Sequence, residues 1–162
     1  MKRIVCVLLI AVLTLSLASC MEPSPKEFTS NGMSITLTDR FVENTYEGYT
    51  VCYDSSDAAV LALKEAFTLQ AGLGELSLDE YAQLVYQANS SKSPETVAKE
   101  DGLTIMEYSF LNEAENQTYR YLATMFKAED AFWLVQFACV EDDYEAKRPL
   151  FMEWAKSVTF AS

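Results

Sequence analysis

Histidine is absent from this 162-residue chain, and cations are scarce: 12 Lys and Arg stand against 24 Asp and Glu. The missing imidazole removes the commonest general base and the commonest metal ligand, and with them most hydrolase and zinc-site designs. The shortage of cations argues against nucleic acid as a partner, because neutralising phosphates requires a basic surface. It also disfavours direct docking on anionic lipid headgroups. The 5 glycines form no phosphate-cradling loop, and the chain holds no H-E-x-x-H, Ser-His-Asp or C-x-x-C pattern. No metal site and no cofactor is expected.

Long apolar runs are equally rare, and the one present stands at the start. Met1-Lys2-Arg3 is a short positive segment, Ile4 to Leu17 is apolar except for Thr14 and Ser16, and small residues lead to Cys20. An apolar stretch of about 14 residues is too short to span a bilayer and fits a secretory signal over residues 1–19. Leu17-Ala18-Ser19-Cys20 resembles the lipobox of bacterial lipoproteins. That resemblance implies cleavage before Cys20, a diacylglycerol on its sulfur with palmitate-type chains, and an extracytoplasmic protein held to the cell membrane by that lipid. The alternative is an ordinary signal peptide cut near the same place. Loss of Lys2 and Arg3 takes the formal charge from −12 to −14. Solubility near a crowded surface accounts for such acidity; an acidic face that recruits a basic partner or cations is the sharper alternative.

Residues 20–31, with Pro23, Pro25 and several hydroxyl residues, read as a lipid-anchored tether, and residues 32–162 as one domain. Met33 to Leu37 alternates as a strand does, and Tyr49–Tyr53 and Ala58–Phe67 flank the turn Asp54-Ser-Ser-Asp57 as a hairpin, although the second arm suits a helix too. Ser77-Leu-Asp-Glu80 has the form of a capping box and opens a helix over about 77–89. Strands are expected over 103–111, 119–127 and 131–140. The last is apolar on both phases, which places it centrally with both faces covered. Glu141-Asp-Asp143 opens a final helix whose apolar stripe is Leu150, Phe151, Trp154, Ala155 and Val158. Pro149 marks either a kink or the start of its main part. The order is α+β, and its simplest form is a twisted antiparallel β-sheet with a helix packed on each face.

The stretch Glu129-Asp-Ala-Phe-Trp-Leu-Val-Gln-Phe137, the acidic link, and then Phe151-Met-Glu-Trp-Ala-Lys-Ser-Val-Thr-Phe160 resemble the end of the PsbP-like fold. That α-β-α sandwich is shared by photosystem PsbP, Mog-type Ran-binding proteins and DcrB-like lipoproteins. The resemblance spans about residues 32–160 by topology and implies a binding or assembly module, with no site residue carried over.

Cys52 and Cys139 are the thiols left in the exported domain. Export permits a disulfide between them; two buried free thiols are the alternative. Tyr81, Tyr108, Tyr119 and Tyr121 are candidates for a ligand or partner surface, because aromatics with polar tips often line grooves, though their spacing, like that of Trp133 and Trp154, also suits a core. The acidic run 141–145 lacks the spacing and glycine of a calcium loop. The expectation is a non-catalytic binding or assembly module whose partner is an unidentified protein or small molecule. The alternatives are an acidic-residue enzyme acting on envelope components and a structural spacer in a lipoprotein complex.

Overall fold

The computed structural model describes residues 22–92 and 94–161. The expected signal segment and Cys20 lie outside the described residues. The described residues form ten strands and two α-helices in the order β1 (Pro25–Ser30), β2 (Met33–Thr38), β3 (Val42–Asn44), β4 (Val51–Asp54), β5 (Ala59–Ala66), α1 (Leu78–Ala88), β6 (Ala98–Glu100), β7 (Leu103–Asn112), β8 (Gln117–Lys127), β9 (Ala131–Val140), α2 (Tyr144–Lys156) and β10 (Thr159–Phe160). Seven strands form one antiparallel sheet in the order β3-β4-β5-β9-β8-β7-β6, so the doubly apolar β9 is its middle strand. A small sheet, β1-β2-β10, lies beside α2 on one face, and α1 covers part of the other. The expected α+β architecture with a helix on each face is therefore the observed one, with the small sheet added.

Alternation along β9 sorts its side chains. Trp133, Val135, Phe137 and Cys139 enter the core shared with α2 and β2, where Phe151, Trp154, Met33 and Ile35 are buried. Phe132 and Leu134 turn to the opposite face and meet α1. There Tyr81 stacks on Phe132 with ring centroids 4.1 Å apart. The capping box is formed: Glu80 N–H donates to Ser77 Oγ (3.2 Å), and Ser77 N–H donates to Glu80 Oε2 (2.8 Å). Pro149 sits inside the continuous helix α2.

One carboxylate fixes α2 to the sheet. Glu107 on β7, only 8% exposed, accepts from the Tyr144 hydroxyl (2.6 Å) and from Arg148 Nε (2.9 Å). Arg148 also grips Glu100 with both terminal nitrogens (2.9 and 2.7 Å). Arg120 pairs with Glu95 at 2.6 Å, lies 3.5 Å from Glu107, and sits over the Tyr144 ring. Burial and the bond to Glu107 push the Tyr144 phenol up, while the bonds to Glu100 and Glu107 raise Arg148.

Two expectations need correction. The tether over 20–31 is largely folded: Pro25–Ser30 is an edge strand on β2. Pro25 opens that strand at the sheet edge, where a missing N–H is tolerated. Asn31 and Gly32, at φ 50° and 87°, form the two-residue turn that joins β1 to β2. Ser24 is already tied to Asp39 through its N–H (3.2 Å) and hydroxyl (2.6 Å).

The disulfide is also absent: Cys52 and Cys139 are both free and buried. β5 lies between their strands, two strand spacings or ~10 Å across the sheet, and Cys139 stands three residues along β9 from Gln136, the position level with Cys52, which adds about 10 Å along the strand. Cys52 also alternates with Val51 and Tyr53, which face α2, so it points to the other side of the sheet from Cys139. No bond can span that separation and orientation.

A tyrosine and carboxylate groove on the face left open by helix α1

Helix α1 is 11 residues long and covers one end of its face, over Met106, Ala123, Met125 and Phe132. The other end stays open and forms a groove of about 720 Å³. Register explains its depth. Asp54, Ala59, Ala138, Tyr121 and Tyr108 pair in one row across β4, β5, β9, β8 and β7. The two middle positions carry alanine between Asp54 and Tyr121, so the floor is low there. Asp54 and Tyr121 stand at the two sides, three strand spacings or roughly 14 Å apart. In the next row Val140, Tyr119 and Phe110 pair and extend the wall on the β8 side. The opposite wall rises from the loop before β4, with Tyr46 and Tyr49.

The polar tips are mostly held. The Tyr46 hydroxyl donates to Asp54 Oδ2, which also accepts from Asn44 Nδ2 at 2.6 Å. That bond pushes the Tyr46 phenol up to about 12. The Tyr119 hydroxyl donates to Glu115 Oε2 at 2.7 Å, and this bond raises its phenol. Tyr121 stacks on Tyr108 with centroids 4.8 Å apart and planes 4° from parallel, and burial raises both phenols. The Tyr108 hydroxyl donates in turn to Gln136 Oε1 beneath.

The charge is one-sided. Asp54, Asp57, Glu115 and Asp143 line the groove, and no lysine or arginine does. Lys147 pairs with Asp57 at 2.5 Å and holds its carboxyl below the usual range. The ion pairs among the described residues include none to the other three. Among the described residues no group of three or more His, Cys, Asp or Glu side chains could hold a metal ion.

Of the four tyrosines singled out from sequence, Tyr119 and Tyr121 line the groove. Tyr108 backs Tyr121 from the side and is buried, while Tyr81 stands on the buried face of α1 with its hydroxyl donating to Glu65 (2.5 Å). Trp133 and Trp154 are core residues. Sequence reasoning missed Tyr46, Tyr49, Phe110, Asp54 and the alanine floor. The signal for Tyr46 and Tyr49 was there: two aromatics in the polar stretch 43–50 have no strand or helix periodicity that would bury them, and both are exposed.

No protein-family model matches the sequence, and no curated protein matches it. Solved structures share its fold. Cyanobacterial PsbP (CyanoP) from Synechocystis sp. PCC 6803 is similar with a TM-score of 0.56 and 11% identity, covering 90% of this chain and 97% of that one. The Ran-binding protein Mog1p of Saccharomyces cerevisiae has a TM-score of 0.54 and 7% identity, over 87% and 97% of the two chains. LpqN, involved in cell envelope biogenesis of Mycobacterium tuberculosis, has 0.50 and 10%, over 87% and 91%. At these identities the likeness is one of fold, and at that level the PsbP-like resemblance read from residues 129–160 holds.

Proposed function

We propose that this protein is an extracytoplasmic lipoprotein, anchored to the cell membrane through Cys20, whose domain is a non-catalytic binding module with the tyrosine groove as its ligand site. The observation that carries the binding reading is the groove itself. A built concavity of this volume, with aromatic walls and a few oriented polar groups, has the character of a small-molecule site. The anchoring rests on the sequence of residues 1–20 and accords with the role in envelope biogenesis stated for the similar LpqN. The enzyme alternative has carboxylates available, but a general acid needs a raised carboxyl pKa, and Asp57 is shifted the other way by Lys147.

The test has two arms. Palmitate labelling and fractionation of cells should place the wild type in the membrane fraction with label and Cys20→Ser in neither; unlabelled wild type would overturn the anchoring. A thermal-shift screen of envelope components should give hits that vanish in Ala59→Phe, which fills the groove floor. Hits indifferent to that change would move the site elsewhere, and a silent screen would count against the binding reading.

A further inference from the structure

Aromatic rings and carboxylates around a concavity without a basic residue define what the groove rejects as well as what it takes. Resting on the binding reading above, we infer that its ligand class is a small organic cation: an ammonium or guanidinium group carried on an apolar body. The body fits the row of Ala59 and Ala138 on the floor, where the paired strands offer only methyl groups between taller neighbours. Phe110, Tyr119 and Tyr121 flank it on one side, Tyr46 and Tyr49 on the other. Tyrosine and phenylalanine rings present negative faces, which attract a cation and repel an anion. The carboxylates act in the same direction from both sides of the groove. Asp54 stands at the β4 side and Glu115 at the β8 side, each accepting one phenol hydrogen bond and neither ion-paired to a lysine or arginine of the described chain. A carboxylate has about four acceptor sites, so Asp54, which also accepts from Asn44, and Glu115 each keep capacity for a further donor. A neutral ligand would use the floor and walls but leave that charge unanswered. An anionic one would meet repulsion from Asp54, Glu115 and Asp143, whereas Asp57 is already answered by Lys147.

The test uses three soluble probes with the same phenyl body: 2-phenylethylammonium, 2-phenylethanol and phenylacetate. Their dissociation constants for the full-length protein in detergent are measured by calorimetry and ligand-observed NMR at neutral pH. The expected result is that the ammonium binds about ten-fold or more tightly than the alcohol, with added salt weakening it, and that phenylacetate does not bind. Asp54→Asn with Glu115→Gln, which adds no bulk, should shrink the ammonium's advantage over the alcohol to roughly two-fold, as expected when two partly exposed charge contacts are lost. Ala59→Phe should remove binding of ammonium and alcohol alike, with circular dichroism confirming the fold. Equal binding of alcohol and ammonium would overturn the cation inference and leave the groove as a binding site. Silence from all three probes, with groove-dependent hits in the envelope screen, would do the same. Silence in both experiments would end the binding reading as well.

Discussion

Replacing Glu107 by alanine tests whether one buried carboxylate holds α2 on the sheet. Glu107 accepts two short hydrogen bonds, from Tyr144 and Arg148, and a third, weaker contact from Arg120. Bonds to a charged group are worth about 1.5–3 kcal/mol each, so the two short ones contribute roughly 3–6 kcal/mol. Part of this is offset. The carboxylate itself is desolvated, and removing it returns that cost. Both guanidinium groups also keep a second partner, Glu100 or Glu95, on side chains about one quarter exposed. The net loss should be about 3 kcal/mol, or a fall in melting temperature of roughly 6–12 °C for a chain of this length. Glu107→Gln keeps the volume and an acceptor for Tyr144, so it should cost about half as much. Urea unfolding of both variants, with m-values compared, reads the effect. A loss below about 1 kcal/mol for alanine, or a glutamine variant as stable as the wild type, would refute the view that the charge is what docks the helix.

Other measurements follow from the same geometry. Asp54→Asn replaces the charged acceptor of the Tyr46 hydroxyl with a neutral one, so spectrophotometric titration should show one phenol falling from about 12 toward the ordinary 10. In the wild type the sign is fixed: the folded phenol is raised above its unfolded value, so its stabilising contribution is intact below pH 10 and is lost as pH climbs through about 12. Cys52 and Cys139 should resist alkylation in the folded protein at pH 8, since burial pushes the Cys139 thiol up to about 11 and raises Cys52 too. Mass spectrometry should find both modified only after denaturation, and a mild oxidant should not link them. Ser77→Ala should cost about 1 kcal/mol in urea unfolding through loss of the α1 cap.

The parts of this fold that were readable in the sequence are those where one local rule acts alone. The cap of α1 needs only Ser77 and Glu80 in register, and the central place of β9 follows from apolar residues on both phases. β1 was hidden because its proline and hydroxyls, with Pro23 just before them, resemble a linker, and pairing with β2 outweighs that composition. The turn itself was visible: Asn31-Gly32 and Asp101-Gly102 are both two-residue hairpin signals, and both adopt left-handed backbone between paired strands. The groove was beyond sequence reading for another reason. It depends on Ala59 and Ala138 pairing across β5 and β9, far apart in the chain, and on α1 stopping short of them. Either alanine alone is unremarkable in composition; only register makes the two a floor. The same holds for the thiols, where strand order and alternation, both three-dimensional facts, decide against a bond.

The early start of the folded chain has a mechanical consequence. Four peptide steps separate Cys20 from Ser24, which is fastened to Asp39. Fully extended, such a leash reaches roughly 13–14 Å. Under the anchoring proposed above, the domain cannot roam the space outside the cell membrane; it rides just above the lipid headgroups, only a little farther out than the ~8–10 Å over which their charge is felt in physiological salt. A body with a formal charge of −14 on so short a leash is pushed outward to the limit of its line. Whatever enters the groove must then be caught in this thin layer, which a negatively charged membrane itself enriches in cations.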